Sequence, residues 1–433
     1  MNPETYSNIN QNSKYDALLS AVRDYVTVKP VDTPRTIYLV GKAKGERGYR
    51  EFSAAIGTSI SFISYVLNGQ SIKIRNKVIA GLVNAAADGS SVTLEALMDA
   101  QGRIHKKDLD SFEANYQSDI RRILIDQLLE AGYEVEFSEY YRGEHASIDS
   151  IIMLRLKLPG TDKFIPCDFK IKTCPIIKTT DDVDGMTSSW LNETIAVNFF
   201  QKTRLFLVVD NPVIYQKILE KVEQIRIPND ISVLLVSPQK RIVISENAVP
   251  RSDGETAEPL FPEYKADVDQ AGYYPFREIY IKEARSLVTE KLMGKGCQIW
   301  LTDPGSCQPS DQIGHIKPDF TIAVKSSRKK PFQWAFTLML LPEDTDETAA
   351  REEIRAWVSK AIVYYYLGGR LDRLSLVVDS EQIYNYVLNE ISTLCMNDEI
   401  SVICISFLRR QIIYEYRASC NQVNKIKAVL TLI

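Results

Sequence analysis

The chain has 433 residues, of which 45% are hydrophobic and 25% are charged, and its formal net charge is −4. This composition is typical of globular proteins, and at roughly 100–200 residues per domain the length predicts two to four domains. The acidic balance excludes a chain that coats nucleic acid over its whole surface. We expect neither a signal peptide nor a membrane partner, because no uninterrupted apolar stretch approaches the roughly 18–20 residues of a membrane span.

Cysteine and histidine usage narrows the possible chemistry. The seven cysteines contain no C-x-x-C pair, and an odd number without framework spacing is typical of a reducing compartment, so we expect a cytoplasmic protein. The sequence has three histidines, His105, His145 and His315, which poorly support a His/Cys zinc site or a serine–histidine triad.

A basic segment lies near the N-terminus. Between Arg35 and Lys77 there are eight basic and two acidic residues, which gives +6 and leaves −10 for the rest of the chain. A small basic module on an acidic body is typical of localised phosphate contact, although a solvated basic face would carry the same charge.

The basic segment and its continuation have the pattern of consecutive short helices. Gly57 is a C-terminal helix signal, Ser59 is placed to cap the next helix, and Ile63 and Val66 lie on the apolar face of that helix. The predicted helices cover residues 35–45, 49–57, 59–67, 73–87 and 91–102.

Residues 57–69, which read GTSISFISYVLNG, resemble the signature of the phage-repressor/Cro-type (XRE) helix-turn-helix. The preceding YREFSAAIG is similar to the second helix of that family, with Ala54 or Ala55 at its small packing position. The resemblance covers residues 35–102 and departs from the family at Leu67, where an acidic residue is common. It implies a double-stranded DNA partner and a recognition helix at 59–67, whereas the alternative is a helical hairpin used for protein contact.

The resemblance also implies which side chains meet DNA. The start of the recognition helix and the residues one turn later would face base edges, and flanking polar and basic residues would meet phosphates. Serine hydroxyls specify a base weakly, and an isoleucine could touch a thymine methyl group. The DNA-binding set is Arg47, Tyr49, Arg50, Ser59, Ile60, Ser61, Ser64, Tyr65, Asn68, Lys73, Arg75 and Lys77.

The rest of the chain is duplicated. LFLVVDNPVIY (205–215) aligns with LSLVVDSEQIY (374–384), and ISVLLVSPQKRIVI (231–244) aligns with ISVICISFLRRQII (400–413), both at an offset of 169 residues. Each VVD ends a buried strand, and we predict Asp210 and Asp379 as caps of the helices that follow. Looser matches upstream pair residues 120–137 with 281–301, 148–158 with 318–326 and 163–172 with 331–340.

Each copy is predicted as helix, strand, strand, strand, helix, strand, helix, strand, which is an α/β pattern. The predicted fold class is therefore a multidomain protein, with an all-α helix-turn-helix domain followed by two tandem α/β domains with mixed central sheets. The predicted boundaries are 1–34 for an N-terminal extension, 35–102 for the helix-turn-helix domain, 103–118 for a connector, 119–250 for the first α/β domain, 251–274 for a linker, 275–420 for the second α/β domain and 421–433 for a C-terminal tail.

The order of elements in each copy resembles the restriction-endonuclease-like fold of the PD-(D/E)xK nucleases. That family implies a metal-binding aspartate on the second strand, and an acid-x-lysine pattern on the third strand. The first copy offers Asp149 and then Asp168 and Lys170, with Asp149 and Asp168 as Mg²⁺ ligands. Asp168 and Lys170 are two residues apart and share a face of their strand. The alternative is that all three are solvated strand residues.

The second copy is expected to lack a catalytic metal site. It keeps an acid at Asp319, but Phe336 and Leu338 stand where the second acid and the lysine belong. We expect no cofactor, other than Mg²⁺ if the first copy is active.

Three functions remain open from the sequence. The leading hypothesis is a sequence-specific transcriptional regulator, which reads an operator as a homodimer and uses eroded nuclease-like domains for dimerisation or sensing. The second is a Mg²⁺-dependent DNA endonuclease with its active site in the first nuclease-like domain. The third is an interaction factor in which the tandem domains bind a protein partner.

Overall fold

The computed structural model of the protein describes most of the chain. The described residues are 14–70, 73–86, 92–138, 151–158, 161–174, 180–200, 203–223, 225–262, 276–302, 318–326, 330–340, 347–367, 371–392, 400–406 and 410–417. None of the helices within these ranges is long and apolar enough to cross a membrane.

The N-terminal helical unit (residues 14–105) has its own core, in which Phe52, Ile63, Ile79 and Leu97 are fully buried. The five helices predicted between residues 35 and 102 are present, with ends shifted by a few residues. A short antiparallel strand pair joins the segment before them to the segment after them. The elements of the unit are α1 (14–21), β1 (Tyr25–Thr27), α2 (Thr33–Lys44), α3 (Tyr49–Ile56), α4 (Ile60–Leu67), α5 (Asn76–Ala85), α6 (Leu94–Ala100) and β2 (Arg103–His105).

The small packing residue of α3 differs from the prediction. Ala54 and Ala55 are exposed, whereas Ser53 is buried and its hydroxyl donates to the carbonyl oxygen of Arg50 at 2.9 Å. The prediction was wrong by one or two residues because the face of a short helix is set by its neighbours. Phe52 and Ile56 turn into the core, and Ser53 lies beside Phe52.

The first half (residues 109–262) and the second half (residues 276–417) have the same order of elements. The predicted connector 103–118 contains β2 and the start of the first long helix. The first half consists of α7 (Leu109–Glu130), β3 (Glu134–Phe137), β4 (Ile151–Lys157), β5 (Phe164–Lys172), α8 (Thr180–Phe200), β6 (Arg204–Val209), α9 (Pro212–Val222), β7 (Ile231–Ser237) and β8 (Ile242–Ala248). The second half consists of α10 (Phe276–Gly294), β9 (Gln298–Thr302), β10 (Phe320–Lys325), β11 (Phe332–Met339), α11 (Glu347–Leu367), β12 (Arg373–Val378), α12 (Glu381–Ser392), β13 (Ile400–Ser406) and β14 (Gln411–Arg417).

Each half has one strand more than predicted. The segment predicted as a single strand at 231–244 is the hairpin β7–β8, and its counterpart is the hairpin β13–β14. The turns contain Arg241 and Arg410, the two non-glycine residues with positive φ among the described residues, at 51° and 50°. Ser237-Pro238 is a turn signal for this reversal in the first half, whereas the corresponding segment of the second half, SFLRR, contains no proline or glycine.

The predicted mixed sheets are present, but they are joined edge to edge. The described strands of the two halves form one sheet of twelve strands, in the order β14-β13-β12-β11-β10-β9-β3-β4-β5-β6-β7-β8. Within each half the first three strands are antiparallel, the next two pairings are parallel, and the last hairpin is antiparallel. The joining strands β3 and β9 would otherwise be open edges, which pair readily with another strand.

The two halves are related by a local two-fold arrangement. Val135 of β3 pairs with Ile299 of β9, and these two residues occupy equivalent places, because the glycines Gly132 and Gly296 precede them with φ of 87° and 79°. Equivalent residues meet in the same way at the interface of an isologous dimer. We call this junction of β3, β9, α7 and α10 the seam.

The two halves have three layers, with the sheet lying between two layers of helices. One face packs on α7 and α10 in a single core shared by both halves. The opposite face carries α8 and α9 in the first half and α11 and α12 in the second, each with its own core. The predicted linker 251–274 contributes to the shared core, because Phe261 packs edge-on against Phe169 and Phe206 at ring-centroid distances of 6.3 and 6.4 Å.

The strand register corrects one prediction about the second half. Asp168 is aligned with Leu205 on β6, and the residue aligned with the equivalent Leu374 is Ala335. The positions of Asp168 and Lys170 are therefore held by Ala335 and Thr337, not by Phe336 and Leu338. Asp168 lies 37 residues before its partner Leu205, whereas Ala335 lies 39 residues before its partner Leu374, so the spacing between the two copies is not constant through this segment. The conclusion that the second half lacks this acid and lysine is unchanged.

Candidate nucleic-acid interface

The position of the predicted recognition helix is set by the turn that precedes it and by a close backbone contact with α5. Gly57 ends α3 in the left-handed conformation, with φ of 67°, which glycine adopts readily. Ser59 caps α4, and its Oγ accepts a hydrogen bond from the Phe62 backbone N–H at 3.2 Å. A Cβ at Gly81 would lie 2.6 Å from the Ile56 carbonyl oxygen, so the backbone of α5 touches the end of α3. The α3–turn–α4 segment is thus fixed on both sides.

The outer face of α4 combines short polar side chains with exposed apolar ones. Ile60 and Tyr65 are 43% and 52% exposed, and Ser61 between them is also exposed. Ser64 is half-buried and accepts a hydrogen bond from Asn68 Nδ2 at 3.3 Å. Large apolar side chains in solvent beside small hydroxyls form a surface suited to contact with another molecule.

The remaining predicted contacts flank this face, and most of them are exposed. Tyr49 is 44% exposed, and Lys44 Nζ lies 5.3 Å above the centre of its ring. The exposed cationic members are Arg50, Lys73, Arg75 and Lys77.

Arg47 is engaged within the protein. Its guanidinium donates to the carbonyl oxygens of Lys44 and Ala85 at 3.2 and 2.9 Å and to that of Ala43, and it lies 5.0 Å from the centre of the Phe52 ring. These contacts tie the turn after α2 to the end of α5. The sequence could not distinguish this arginine from its exposed neighbours, because charge and spacing do not record which carbonyls a helix end leaves unpaired.

The predicted nuclease residues of the first half lie on the sheet face covered by α8. Asp168 and Lys170 are both buried and share that face of β5. Lys170 Nζ and Lys172 Nζ each lie 3.0 Å from Glu193 Oε2 on α8. The hydrogen bonds from Lys172 and Lys170 lower the pKa of Glu193 to about 2. The lysine is thus paired with a carboxylate that the sequence pattern did not indicate.

The described residues do not by themselves fit a Mg²⁺ site. Asp168 Oδ2 accepts a hydrogen bond from Thr203 Oγ1 at 2.7 Å, and burial raises the pKa of Asp168. The residue paired with Asp168 on β4 is Met153. Asp149 lies outside the described residues, and within them no group of three or more His, Cys, Asp or Glu side chains could hold a metal ion.

Asp210 is not a helix cap, which corrects the prediction. Asn211, one residue later, caps α9 by accepting from the backbone N–H of Val213 at 3.0 Å. Asp210 Oδ1 instead accepts from the Cys174 backbone N–H at 2.7 Å, and burial raises the pKa of its carboxyl group.

Asp379 is likewise displaced from the cap position. Ser380 Oγ accepts from the backbone N–H of Ile383 at 3.2 Å, at the start of α12. In both halves the strand ends at the last valine of its apolar run, Val209 or Val378, the aspartate follows it directly, and the next residue caps the helix. The aspartates are therefore held at the carboxyl ends of β6 and β12.

No family model matches the sequence, and no curated protein matches it as a relative.

Proposed function

We propose that the chain is a sequence-specific DNA-binding protein that regulates transcription, with a Cro-type helix-turn-helix formed by α3 and α4 of a domain spanning 35–102. The observation that carries the proposal is the outer face of α4, with exposed Ile60, Ser61 and Tyr65 on a helix held by a glycine turn. In a helix-turn-helix, the residues at the start of the second helix contact base edges.

The chemistry of that face supports contact with a groove. Ser61 and Ser64 are short enough for the helix backbone to approach the bases, and Ile60 offers a methyl surface to thymine. Arg50, Lys73 and neighbouring cations would neutralise phosphates and fix the register. Arg47, although in the predicted set, would act by holding the turn before α3 rather than by meeting a phosphate.

The test is a mobility-shift titration of the full chain with duplex fragments from its own locus at two salt concentrations. We expect a discrete shift that weakens as salt rises, because phosphate contacts release counterions. Arg50→Ala should weaken binding to all fragments and reduce the salt dependence by about one counterion. Lys217→Ala, which removes a lysine on α9 whose side chain is 44% exposed, is the matched control and should bind as wild type. Salt-independent or absent binding would refute the proposal and favour the protein-contact alternative.

The tandem halves are proposed to serve dimerisation or sensing rather than chemistry. A two-fold homodimer remains part of the proposal, since a single helix-turn-helix reads few base pairs. The halves also offer surfaces for a protein partner. We place the protein in the cytoplasm on the strength of its cysteine usage.

A Mg²⁺-dependent endonuclease is the second candidate. The shared face of Asp168 and Lys170 on β5 favours it, and it requires Asp149 to complete the metal site. The same titration with Mg²⁺ added reports strand integrity. Cleavage that disappears in Asp168→Ala would establish the enzyme, whereas cleavage unaffected by Asp168→Ala, or intact DNA, would remove this candidate.

A further inference from the structure

Two equivalent sets of polar side chains lie beside the seam, one in each half. Equivalent residues of α7 and α10 are 164 positions apart in the sequence. Equivalent residues at the ends of β6 and β12, and in the β7–β8 and β13–β14 turns, are 169 positions apart. In each set the arginine comes from the turn of one half and reaches the helix of the other. The first set is Tyr116, Asp119, Asp210 and Arg410, and the second is Tyr280, Glu283, Asp379 and Arg241.

These sets persist although the halves have diverged elsewhere. Asp168 and Lys170 are replaced by Ala335 and Thr337 in the second half, whereas each set keeps a tyrosine, two acids and an arginine. Both arginines hold a left-handed backbone that non-glycine residues seldom adopt. The same left-handed turn position in both copies places the two arginine side chains at equivalent positions beside the seam.

The N-terminal helical unit lies over the second set, and a partly open cavity of about 170 Å³ lies between them. At roughly 30 Å³ per water molecule, this is room for a small molecule rather than a single water. Helix α2 forms one wall and α10 the other. Among the charged and aromatic lining residues are Arg35, Tyr38, Arg241, Tyr280, Glu283 and Arg410.

One lining carboxylate has an oxygen without a hydrogen bond. Glu283 is 7% exposed, and its Oε1 accepts no hydrogen bond from the described residues. The closest cation in an ion pair with it is Arg410, whose Nε lies 3.5 Å away. Asp119 Oδ1, at the equivalent position in the first half, also accepts no hydrogen bond from the described residues. A buried acceptor of this kind is costly unless a donor completes it.

The surrounding cations complement that acceptor. Arg35 uses one nitrogen for Asp99 Oδ2 at 2.7 Å, and Arg241 uses one for Ser286 Oγ at 3.2 Å. A guanidinium carries five N–H donors, so each arginine retains donors for an anion. The cavity therefore presents a buried acceptor for a cationic group next to donors for an anionic group.

We propose that this cavity binds a small zwitterion of the size of an α-amino acid, whose ammonium group donates to Glu283 and whose carboxylate is received by Arg35 and Arg241. The cavity contacts α2, and α2 packs on α4, where Leu67 Cδ2 would lie 3.9 Å from a Cβ at Gly41. Occupancy would thus alter how the N-terminal helical unit rests on the two halves. This sensing role rests on the proposed DNA-binding function, whereas binding of the zwitterion does not.

The test is calorimetric titration of the full chain, without DNA, with each of the common α-amino acids in turn. Acetate and methylamine serve as single-charge probes. We expect at least one amino acid to bind more tightly than either probe. Glu283→Gln should weaken that binding roughly 10- to 100-fold, the range for loss of a hydrogen bond to a charged group. Glu278→Gln makes the same charge change on an exposed part of α10 and should bind as wild type.

A second variant guards against misfolding of Glu283→Gln. Gln239 is a half-buried lining residue in the β7–β8 turn, so Gln239→Trp should fill the cavity without burying a new charge, and should abolish binding. Failure of every amino acid to bind, or binding unchanged in both variants, would overturn the proposal and identify a water-filled polar junction. If the chain binds an amino acid but no DNA, the proposed ligand site in the cavity is supported and the proposed regulatory function is refuted.

Discussion

Replacing Arg285 by methionine tests the seam directly. Arg285 Nε and a terminal nitrogen donate to the two carboxylate oxygens of Asp126 at 2.6 and 2.8 Å, and the guanidinium also contacts Glu130 Oε1 at 2.5 Å. The side chains of Arg285 and Asp126 are 9% and 4% exposed, so solvent screens this pair very little. Removing one partner of a buried pair leaves the other charge uncompensated, which costs about 3–5 kcal/mol. The free energy of unfolding should fall by this amount in Arg285→Met, measured by urea titration.

The double variant Asp126→Leu with Arg285→Met should recover most of the loss, because replacing both members of a buried pair with apolar residues is close to neutral. Arg355 provides the control. It forms a bidentate ion pair with the carboxylate of Glu390, at 3.1 and 3.0 Å, but its side chain is 67% exposed. Arg355→Met should therefore change the unfolding midpoint far less. If Arg285→Met loses less than about 1 kcal/mol, or the double variant is no better than the single, the seam is not held by this pair.

Three further predictions concern the backbone, pH and thiols. Gly81→Ala should destabilise by about 1–3 kcal/mol because its Cβ would meet the Ile56 carbonyl, whereas Gly185→Ala, with open space around it, should stabilise by about 0.5–1 kcal/mol in the same urea assay. Burial alone would raise the pKa of Asp99, but the charges of Lys29 and Arg35 outweigh it and hold that pKa well below its usual value. The ionised carboxylate of Asp99 therefore stabilises the fold fully above the pKa that this group has in the unfolded chain, and the stabilisation is lost as pH falls below that value. The difference in the free energy of unfolding between wild type and Asp99→Asn should shrink between pH 5 and pH 2. A constant difference would contradict this prediction. Burial raises the pKa of Cys167 to about 12, and maleimide labelling at pH 8 with peptide mass spectrometry should find it protected in the native chain and labelled in urea; equal rates would show that it is not buried.

Local signals predicted the N-terminal helices well because each signal acts within a few residues. Gly57 and Ser59 fix the turn between α3 and α4 through their own backbone and hydroxyl, whatever the rest of the chain does. The same reasoning placed Ser61 and Tyr65 on the outer face of α4 and Ile63 on its inner face, as the structure has them. Whether that face meets DNA stays a prediction.

The errors arose where a residue's role depends on partners far away in the chain. Arg47 turns inward because α5, about 38 residues later, leaves the Ala85 carbonyl within reach. Asp210 is drawn from the cap position by the Cys174 backbone N–H, 36 residues before it. The position equivalent to Asp168 in the second half was misassigned because the segment from β5 to β6 and the segment from β11 to β12 differ in length by two residues, which periodicity does not reveal.

The duplication was visible in the sequence, but its consequence was not. Constant spacing identifies two copies of one fold, yet nothing in it shows that β3 of one copy pairs with β9 of the other. That pairing follows from two open edges of complementary register and from reciprocal ion pairs, Arg121 with Glu290 and Arg285 with Asp126, which occupy equivalent positions across the seam. Such pairs become recognisable only once the 164-residue spacing of the helices is known from the structure.

The seam also constrains how two chains could read a two-fold operator. The surfaces by which two copies of this fold associate are already used inside one chain, since β3 and β9 pair with each other and α7 packs on α10. A homodimer through the same surfaces would require each chain to open its own shared core and exchange halves. Each chain nevertheless carries one α3–α4 pair for its two halves in the part that the structure describes. The proposed homodimer must therefore form through other surfaces, and the terminal strands β8 and β14 are the two edges that the twelve-stranded sheet leaves for it.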